Sequence, residues 1–365
     1  MNNSFIPQME PWFAKEEKQA ICDYMDEGGW LTEFKKTQLF ESMIAEYTGA
    51  KHCIVVNNGT ISLTLMAMAC DIQAGDEIIV PNYTMIATPN SVKMIGAVPI
   101  FVDVEPETLC LDIEKVQQAI TPKTKAIMLV TANGRYPQSG IKAFEQLAQE
   151  KNITLIEDAA QSLGSFYPDG RHIGSVGIAG SFSFSAPKVI STGQGGAIIT
   201  NDDETALKIR KLKDFGRSSG GNDIHDTIGF NFKFTELQAC IGIEQMKKLP
   251  WRVERKQDIL KQYQALLNDV SEIKFFNQDL THTTPWFIDA LVEKREPLQA
   301  FLKENHIGTR VMYPPINKQK VYNIPGEYSI ANLVGHKGLW LPSSAKLTDE
   351  QIAYICETIH HFYKS

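Results

Sequence analysis

Short apolar runs alternate with stretches of helical periodicity along roughly the first 200 positions of the chain. The apolar runs predict strands, and the segments between them, where apolar residues recur every three or four positions, predict helices. Strands separated by helices are typical of a mainly parallel sheet that is covered on both faces. The strands predicted in this way are residues 52–56, 77–80, 98–102, 126–130, 154–156, 181–185 and 197–200, and the helices are residues 59–69, 88–94, 112–119, 140–151, 204–215 and 235–248.

Pro250 marks a change in the pattern, because proline removes a backbone donor and disfavours the continuation of a helix. After it, strands and helices follow in an order that is typical of a smaller α+β unit. We therefore predict a large domain at residues 1–249, which includes the N-terminal segment, and a small C-terminal domain at residues 250–365. The elements predicted beyond Pro250 are helices at 253–267, 297–305 and 349–363, and strands at 273–276, 287–291 and 309–313.

Composition and charge limit the functional classes. The chain has 365 residues, a formal net charge of −7 and no lysine- or arginine-rich run, which argues against a nucleic-acid surface. It has no run of about eighteen apolar residues that would predict a membrane span. Six scattered cysteines without CxxC spacing favour reduced thiols over disulfides or a metal site. With no signal-peptide pattern at the N-terminus, we expect a cytoplasmic protein without a bound metal.

Lys188 is the first candidate for chemistry. It ends the sequence SFSFSAPK at residues 181–188 and precedes a glycine-rich stretch and the apolar run 197–200. A lysine at the mouth of a buried sheet has a lowered amine pKa, since loss of solvent disfavours the ammonium form. A neutral amine can form a Schiff base with an aldehyde, which suits pyridoxal 5′-phosphate (PLP). The alternative is a lysine in a surface loop, where most lysines lie.

A phosphate cradle is the second part that a PLP site needs, and Asn58, Gly59 and Thr60 are candidates for it. They follow a predicted strand and open a helix, whose first N–H groups are unpaired and bind anions. Gly59 allows a close approach, and Thr60 adds a hydroxyl group. Ser183 is a second candidate phosphate ligand, with Ser185 as its alternative. Each of these residues can instead be an ordinary helix cap or a strand serine.

An acid against the pyridine nitrogen is the third part, and Asp158 is the candidate because it ends a buried apolar segment. A carboxylate there keeps the nitrogen protonated and makes the ring an electron sink, although the same residue can cap the following helix. Gln161 either approaches the cofactor or is a polar helix residue. The three motifs follow one another at strand ends of one sheet, which is where α/β sheets bind ligands.

These motifs resemble those of the DegT/DnrJ/EryC1/StrS sugar aminotransferase family, which has the aspartate aminotransferase fold (PLP fold type I). The resemblance covers nearly the whole chain, and it implies PLP as cofactor, glutamate as amino donor and a role in polysaccharide biosynthesis, such as that of lipopolysaccharide O-antigen. The chain most resembles the branch that forms GDP-perosamine by aminating C4 of a 4-keto-6-deoxy nucleotide sugar. The matching segments are residues 29–32, 57–60, 75–77, 96–99, 158–161, 183–196, 230–246 and 339–343.

The resemblance also implies a homodimer whose active sites are shared between the subunits. In the family, the Asn and Arg of a Gly-x-Asn-x-Arg segment reach the cofactor phosphate of the partner. The segment here is GFNFK at residues 229–233, so Asn231 matches, while Lys233 keeps the charge but loses the bidentate fork of arginine. From the residues alone, both can be polar residues that enter the next helix. Trp30 and Thr32 are substrate candidates from the 29–32 segment.

Two departures from the family pattern lie in the large domain. Where an aromatic ring normally stacks on the cofactor, this chain has Met85, which either packs on the ring or belongs to the core, and nearby Tyr83 can compensate. Where many members have His-x-Tyr-Gly, residues 131–136 read TANGRY and introduce Arg135. Arg135 either grips a substrate phosphate or carboxylate, or it is a solvated loop charge.

A third departure lies near the end of the chain. The Tyr-Pro-x-His segment of the family reads YPPINK at residues 313–318, so its histidine is missing. Arg310, Tyr313, Asn317 and Lys318 remain as polar candidates for contacts with the substrate. These loops line the substrate side in the family, so the departure bears on the sugar rather than on the cofactor.

The resulting hypothesis is a transamination in two halves, in which Lys188 binds the cofactor and moves the proton while Asp158 holds the ring nitrogen protonated. One alternative is a transaminase for a smaller phosphorylated or cyclitol ketone, which Arg135 would suit. A second alternative is a non-catalytic PLP-binding regulatory protein, which would need an additional DNA-binding or partner-binding module. A dehydratase branch of the family has histidine in place of the lysine, so Lys188 argues against that branch.

Overall fold

A seven-stranded sheet forms the centre of the N-terminal part in the computed structural model, which describes residues 5–218 and 223–364. Its strands are β1 (His52–Val56), β2 (Glu77–Pro81), β3 (Val98–Val102), β4 (Thr124–Val130), β5 (Thr154–Asp158), β6 (Ala179–Ser183) and β7 (Gly196–Thr200). Their spatial order is β1-β7-β6-β5-β4-β2-β3. Only β7 is antiparallel to its neighbours among these strands, and the other pairs are parallel. The mainly parallel sheet predicted from the apolar runs is therefore confirmed.

Helices cover both faces of this sheet. Successive residues of a strand point to opposite faces: Val55 and Phe40 belong to one buried cluster, whereas Ile54 and Leu65 belong to another. Burial on both faces explains why these strands read as continuous apolar runs. The helices in this part are α1 (Lys15–Glu27), α2 (Lys35–Thr48), α3 (Gly59–Ala69), α4 (Ala87–Met94), α5 (Ile113–Ala119), α6 (Ile141–Lys151) and α7 (Asp203–Lys213).

A single helix, α8 (Glu236–Leu266), runs through Pro250. The prediction of two helices separated at this proline is wrong. Proline deletes one backbone hydrogen bond, but burial on both sides of it opposes that loss: Ile243 and Leu249 lie in the core of the large sheet, and Ile259 and Tyr263 lie in the C-terminal core. The domain boundary at 249/250 remains a prediction.

A four-stranded antiparallel sheet organises the C-terminal part, as an α+β unit should. Ile6 pairs with Ile307, so the start of the described chain contacts this part. The sequence pattern missed α1, α2, α10 and β11. The elements beyond α8 are β8 (Ile273–Phe275), β9 (Ile288–Val292), α9 (Arg295–Glu304), β10 (Arg310–Val311), α10 (Ser329–Lys337), β11 (Gly338–Leu341) and α11 (Asp349–Lys364).

The carboxyl ends of the parallel strands meet at one edge of the large sheet. Asp158 ends β5 and Ser183 ends β6, while α3 begins just beyond β1 at the same edge. Ligands of α/β proteins bind outside this edge. Within the described residues, no helix combines the length and apolar character needed to cross a membrane.

Candidate active site

A cleft of about 480 Å³ lies at this edge of the sheet. It brings together residues that are more than 120 positions apart along the chain, from Asn58 at the start of α3 to Lys188 in the loop after β6. Nine residues proposed from sequence line it: Asn58, Gly59, Thr60, Met85, Asp158, Gln161, Ser183, Ser185 and Lys188. A volume of this size is typical of a site for a cofactor or another small molecule.

The amine of Lys188 lies against the aromatic face of Trp286. Nζ is 4.0 Å from the ring centroid, and the charge of Asp158 also acts on it. Burial lowers the pKa of Lys188 from 10.5 to about 8, because loss of solvent disfavours the ammonium form, while Asp158 partly opposes this effect. A substantial fraction of Lys188 amines is therefore neutral near pH 8 and able to attack an aldehyde.

Asp158 is buried and held by two donors at the end of β5. Thr88 Oγ1 donates to Oδ2 at 2.7 Å, and the backbone N–H of Ala160 donates to Oδ1 at 3.3 Å. Burial raises the pKa of Asp158, whereas the hydrogen bonds from Thr88 and Ala160 and the charge of Lys188 lower it. Sequence reasoning did not identify Thr88 as a site residue, and its hydroxyl group is also bonded to that of Thr84 at 2.8 Å.

The neighbouring acid, Glu157, faces away from the cleft. Because side chains alternate along a strand, it points to the other face of the sheet from Asp158. There it accepts hydrogen bonds from Tyr167 Oη at 2.6 Å and from the N–H groups of Gly174, Val176 and Gly177 at 2.7–2.9 Å. Glu157 therefore holds the loop after β5, and Asp158 is the carboxylate that remains for a ligand.

The turn between β1 and α3 has the geometry of an anion cradle. Asn58 caps α3 by accepting from the N–H of Ile61 at 3.0 Å, whereas the N–H groups of Gly59 and Thr60 have no partner inside the helix. A Cβ at Gly59 would lie 3.0 Å from Cβ of Ser183, so the glycine lets the cradle approach the end of β6. The donors are those that bind phosphate at helix N-termini.

Gly196, at the start of β7, packs directly against the backbone of the cradle at Asn58 and Gly59. A Cβ on this residue would lie 2.6 Å from the carbonyl oxygen of Asn58 and 2.9 Å from the backbone nitrogen of Gly59. Real side chains do not tolerate such contacts with backbone, so position 196 requires glycine. This requirement explains one glycine of the GQGG sequence that follows Lys188.

Met85 and Gln161 complete the walls of the cleft. Met85 is 46% exposed although it is apolar. An exposed methionine in a cleft can pack against the ring of a bound ligand. The Oε1 of Gln161 accepts from the backbone N–H of Asn133 at 2.7 Å. Together with the amine, the carboxylate and the anion cradle, these residues fit a phosphorylated pyridine aldehyde, so the described cleft fits PLP.

Arg135 does not have either role expected from sequence. Only 2% of it is exposed, and its guanidinium group forms a bidentate ion pair with Asp289 at 2.7 and 3.0 Å. Nε donates to the carbonyl of Thr108 at 2.8 Å, and the group packs on the ring of Phe276. These contacts occupy its donors, so Arg135 is neither a substrate clamp nor a solvated charge in this structure.

Two further substrate candidates are buried structural residues. Asn317 pairs with Asn82, since its N–H donates to Asn82 Oδ1 at 2.8 Å and its Oδ1 accepts from Asn82 Nδ2 at 2.9 Å. Tyr83 is also buried, with its ring 6.0 Å from that of Tyr313, and it does not line the cleft. The predictions that Asn317 contacts substrate and that Tyr83 replaces the missing stacking ring are therefore corrected.

The other C-terminal candidates remain accessible. Tyr313 is half-buried, its ring contacts Trp340 edge-on at 4.8 Å, and burial raises its pKa while the charges of Arg310 and Asp158 also act on it. Arg310 and Lys318 are exposed, and Arg310 also lies over the ring of Trp340.

The 229–233 segment, which is expected to reach a partner subunit, lies outside the cleft of its own chain, as do the substrate candidates Trp30 and Thr32. Trp30 is 68% exposed, and Thr32 and Asn231 are also exposed. Lys233 is bonded to Asp214 at 2.8 Å. Trp30, Thr32 and Asn231 are therefore accessible to a second subunit, whereas Lys233 is paired with Asp214.

Glu236 joins the two segments. Its buried carboxylate accepts from the backbone N–H groups of Phe34, Lys36 and Thr37, each at 2.8 Å. A bridge between Thr32 and Thr235 reinforces the connection. The 29–34 segment and the 229–236 loop therefore form one continuous surface, which sequence reasoning did not detect.

Comparison with known proteins identifies relatives over the full length of this arrangement. The sequence pattern of the DegT/DnrJ/EryC1/StrS aminotransferase family matches residues 13–360. The GDP-perosamine synthase of Escherichia coli O157:H7 is 34% identical over 363 residues, which is 98% of this chain and 99% of the relative. The GDP-perosamine synthase of Vibrio cholerae is 31% identical, with the same coverage.

Solved structures agree with this result. DesV of S. venezuelae is 29% identical and has a TM-score of 0.90, with 96% of this chain and 95% of that chain covered. The PLP form of Spr1654, a putative sugar aminotransferase from Streptococcus pneumoniae, is 26% identical and has a TM-score of 0.92, with 99% of both chains covered. The α/β fold of PLP fold type I predicted from sequence is confirmed.

Proposed function

The chain belongs to the DegT/DnrJ/EryC1/StrS aminotransferase family and is a PLP-dependent aminotransferase, and on that premise we propose that it transfers an amino group from glutamate to the 4-keto group of a nucleotide-linked 4-keto-6-deoxy sugar. The observation that carries the proposal is the approach of a lysine whose pKa is lowered to about 8, a buried carboxylate and an anion cradle within one cleft. The perosamine-type sugar is supported by the full-length similarity to two GDP-perosamine synthases.

Lys188 is the proposed base and acid. When bound, PLP supplies an aldehyde that reacts with amines and a ring that withdraws electrons. Nζ of Lys188, whose pKa is lowered to about 8, removes the proton from the carbon that carries the donor's amino group and later returns one. Trp286 covers one side of this amine, and Lys188 itself lines the cleft.

Asp158 is the proposed partner of the pyridine nitrogen. The hydrogen bonds from Thr88 and Ala160 favour its ionised form, and a positive ring nitrogen would favour it further. Asn58, Gly59 and Thr60 would hold the phosphate at the start of α3, and Ser183 would contact it from the end of β6. Met85 and Gln161 would contact the ring. Of the remaining candidates, Arg310, Tyr313 and Lys318 are proposed for the substrate side.

A homodimer with shared active sites is proposed from the accessible segments. Met94 and Phe230 are large exposed apolar residues, and they line a groove of about 460 Å³ together with Phe232. Exposed apolar surface of this kind marks interaction sites. A second copy seated there would bring Trp30, Thr32, Asn231 and Lys233 to a neighbouring cleft.

The free cysteines of the described chain fit the cytoplasm that we propose as its location.

The alternative of a smaller phosphorylated or cyclitol ketone loses its supporting observation. It rested on Arg135 as a free cation near the site, and the structure pairs this residue with Asp289. The alternative of a non-catalytic regulatory protein is not retained, because the family and its relatives are aminotransferases.

The decisive experiment follows the absorbance of the bound cofactor while glutamate is added to the purified holoenzyme. We expect conversion to the amino form of the cofactor, and then its reversal by a 4-keto-6-deoxy nucleotide sugar, with the amino sugar detected by mass spectrometry. A panel of simple phosphorylated ketones and cyclitol ketones serves as the comparison. Reversal by one of these, and not by the nucleotide sugars, would refute the proposed substrate while leaving the aminotransferase class intact.

The variant Lys188→Ala tests the role of the lysine in the same assay. It should retain part of the cofactor binding, since the phosphate cradle is unchanged, but lose turnover. Normal turnover by this variant would remove Lys188 from its proposed role.

Mixing Lys188→Ala with Asn231→Ala tests shared sites, because a hybrid dimer contains one intact site. We expect the mixture to recover activity that each variant lacks alone; no recovery would contradict a shared site.

A further inference from the structure

The indole ring of Trp286 contacts both the amine of Lys188 and the backbone of the preceding residue, Pro187. The indole face lies 4.0 Å from Nζ of Lys188, and the indole N–H donates a 2.8 Å hydrogen bond to the carbonyl oxygen of Pro187, the residue immediately before the lysine. Only 3% of Trp286 is exposed. One side chain therefore controls both the amine and the backbone that carries it.

The position of Trp286 is fixed by a separate buried cluster that includes Phe287 and Trp340. Its ring stacks on that of Phe287 at 3.9 Å with an angle of 20°, and it meets Trp340 edge-on at 5.9 Å. A ring that is almost fully buried between these neighbours cannot rotate without displacing them, because protein interiors are close-packed. Trp286 is therefore a rigid wall rather than a mobile cover.

A clamp holds the backbone beside it. Asn133 accepts from the N–H of Phe287 at 2.6 Å and donates to the carbonyl of the same residue at 2.9 Å. The N–H of Asn133 donates to Gln161, which lines the cleft. The path from Gln161 through Asn133 and Phe287 to Trp286 thus connects one wall of the cleft to the ring that lies behind the amine of Lys188.

The loop of Lys188 is also held on its other side by Arg252, whose Nη1 donates to the carbonyl oxygen of Val189 at 2.7 Å, but this bond fixes the backbone and does not reach the amine. Lys188 lies outside the regular elements, and its own N–H is bonded to Ser185 within the loop at 3.0 Å. Its amine has four rotatable bonds between it and the backbone. Without a wall, these bonds would let Nζ occupy several positions, and each would lower the fraction of molecules with the reactive geometry.

We propose that Trp286 is a positioning residue for Lys188: its indole ring forms the wall behind Nζ, and its N–H fixes the carbonyl of Pro187. The proposal rests on the proposed role of Lys188 in binding the cofactor aldehyde. That reaction joins Nζ to the aldehyde carbon through a C=N bond and releases one water, so it needs no oxidant or reductant.

The test compares two ligands of the apoenzyme. Capture of PLP, followed by absorbance in a stopped-flow instrument, depends on the placement of Nζ. Binding of pyridoxamine 5′-phosphate, followed by calorimetry, uses the cradle and the ring contacts but forms no bond to Lys188. We expect Trp286→Leu to slow capture about tenfold or more, since misplacement of a reacting group by about 1 Å has costs of this size, and to change the affinity for pyridoxamine 5′-phosphate less than about twofold.

Trp286→Phe separates the two contacts, because it keeps a ring but removes the indole N–H. Trp286→Phe should slow PLP capture by about threefold, to a rate between those of the wild type and Trp286→Leu. If Trp286→Leu does not fold, Trp286→Phe alone tests whether Trp286 positions the lysine. Trp251→Phe is the control, since Trp251 is an exposed residue on α8 that pairs with Trp12. This variant should capture PLP at the wild-type rate.

Capture at the wild-type rate by both Trp286 variants would overturn the proposal. A loss of affinity for pyridoxamine 5′-phosphate by the same factor as the slowing of PLP capture would also overturn it. Trp286 would then support the whole cleft rather than the lysine. A wild-type apoenzyme that captures no PLP would contradict the role of Lys188 itself, and the positioning role with it.

Discussion

Arg135 and Asp289 form a buried ion pair in which both carboxylate oxygens accept hydrogen bonds from the guanidinium group, at 2.7 and 3.0 Å. The residues come from a loop after β4 and from β9, so the pair connects the large sheet to the C-terminal sheet. Asn133 also donates to Asp289 at 3.0 Å. The pair therefore lies beside the clamp on Phe287, and its loss should affect stability.

We predict that Arg135→Met lowers the free energy of unfolding by about 3–5 kcal/mol, because it leaves the carboxylate of Asp289 buried without its charge partner. The measurement is urea unfolding at a fixed protein concentration. Arg171→Met is the control, since Arg171 forms its ion pairs with Glu145 and Asp169 in a more exposed position, and it should cost about 0–1 kcal/mol. A raised KM for the keto substrate with unchanged stability would instead restore the role of substrate clamp.

The sequence predicted the cofactor side of the cleft because its residues lie where local patterns end. Asp158 and Ser183 close apolar runs, and Asn58 opens a helix after one, so the strand pattern alone places them at one sheet edge. Arg135 had no such signal. Its partner Asp289 lies 154 positions away, and no local pattern reports a pair of that separation.

Two of the missed helices, α2 and α10, have the same explanation. α2 begins after Phe34, which cannot cap a helix through its side chain, and Glu236 binds its first N–H groups from about 200 positions away. α10 is capped similarly by Asp103, which accepts from the N–H groups of Ile330 and Ala331 at 3.0 Å. Start signals that depend on a nearby Ser, Thr, Asp or Asn cannot detect helices capped across the fold.

Thr88 should tune Asp158. Its hydroxyl donates to the carboxylate, and removal of a hydrogen bond to the charged form raises a pKa. We predict that Thr88→Val lowers kcat about tenfold or more, as expected for loss of a hydrogen bond to a charged group, and moves the acid limb of the kcat profile to higher pH. Thr84→Val is the control, because Thr84 bonds to Thr88 rather than to Asp158. An acid limb that stays in place would argue against ionised Asp158 as the relevant group.

Gly196 should control the affinity for the cofactor phosphate. Gly196→Ala places a methyl group 2.6 Å from the carbonyl oxygen of Asn58, so the start of α3 must move. We predict that the Kd for PLP rises about tenfold or more, in line with about 1–3 kcal/mol for overpacking. Pyridoxal, which lacks the phosphate, is the control ligand, and its affinity should change less. An equal loss for both ligands would mean that Gly196 supports the cleft in general rather than the cradle.

Lys256 should make stability depend on alkaline pH. This lysine of α8 is buried, donates to the carbonyl of Ser343 at 2.6 Å, and has its pKa lowered by burial from 10.5 to about 7. Between about pH 7 and 10.5 the unfolded chain therefore binds a proton that the folded chain does not. The free energy of unfolding should rise with pH in this window, by up to about 1.4 kcal/mol per pH unit for one such group, and the contribution is lost as pH falls toward 7.

Lys256→Met tests this dependence, because methionine fills a similar volume without an amine. We predict a shallower rise in the free energy of unfolding between pH 7 and 10 than in the wild type, measured by urea unfolding at fixed protein concentration. Lys188 adds a rise of the same sign above about pH 8, so the slope should decrease rather than vanish. Lys261→Met is the control, since Lys261 is an exposed lysine on the same helix, and it should keep the wild-type slope. If Lys256→Met also keeps it, the amine of Lys256 must be charged in the folded protein, and the carbonyl of Ser343 must then stabilise an ammonium group inside the C-terminal core.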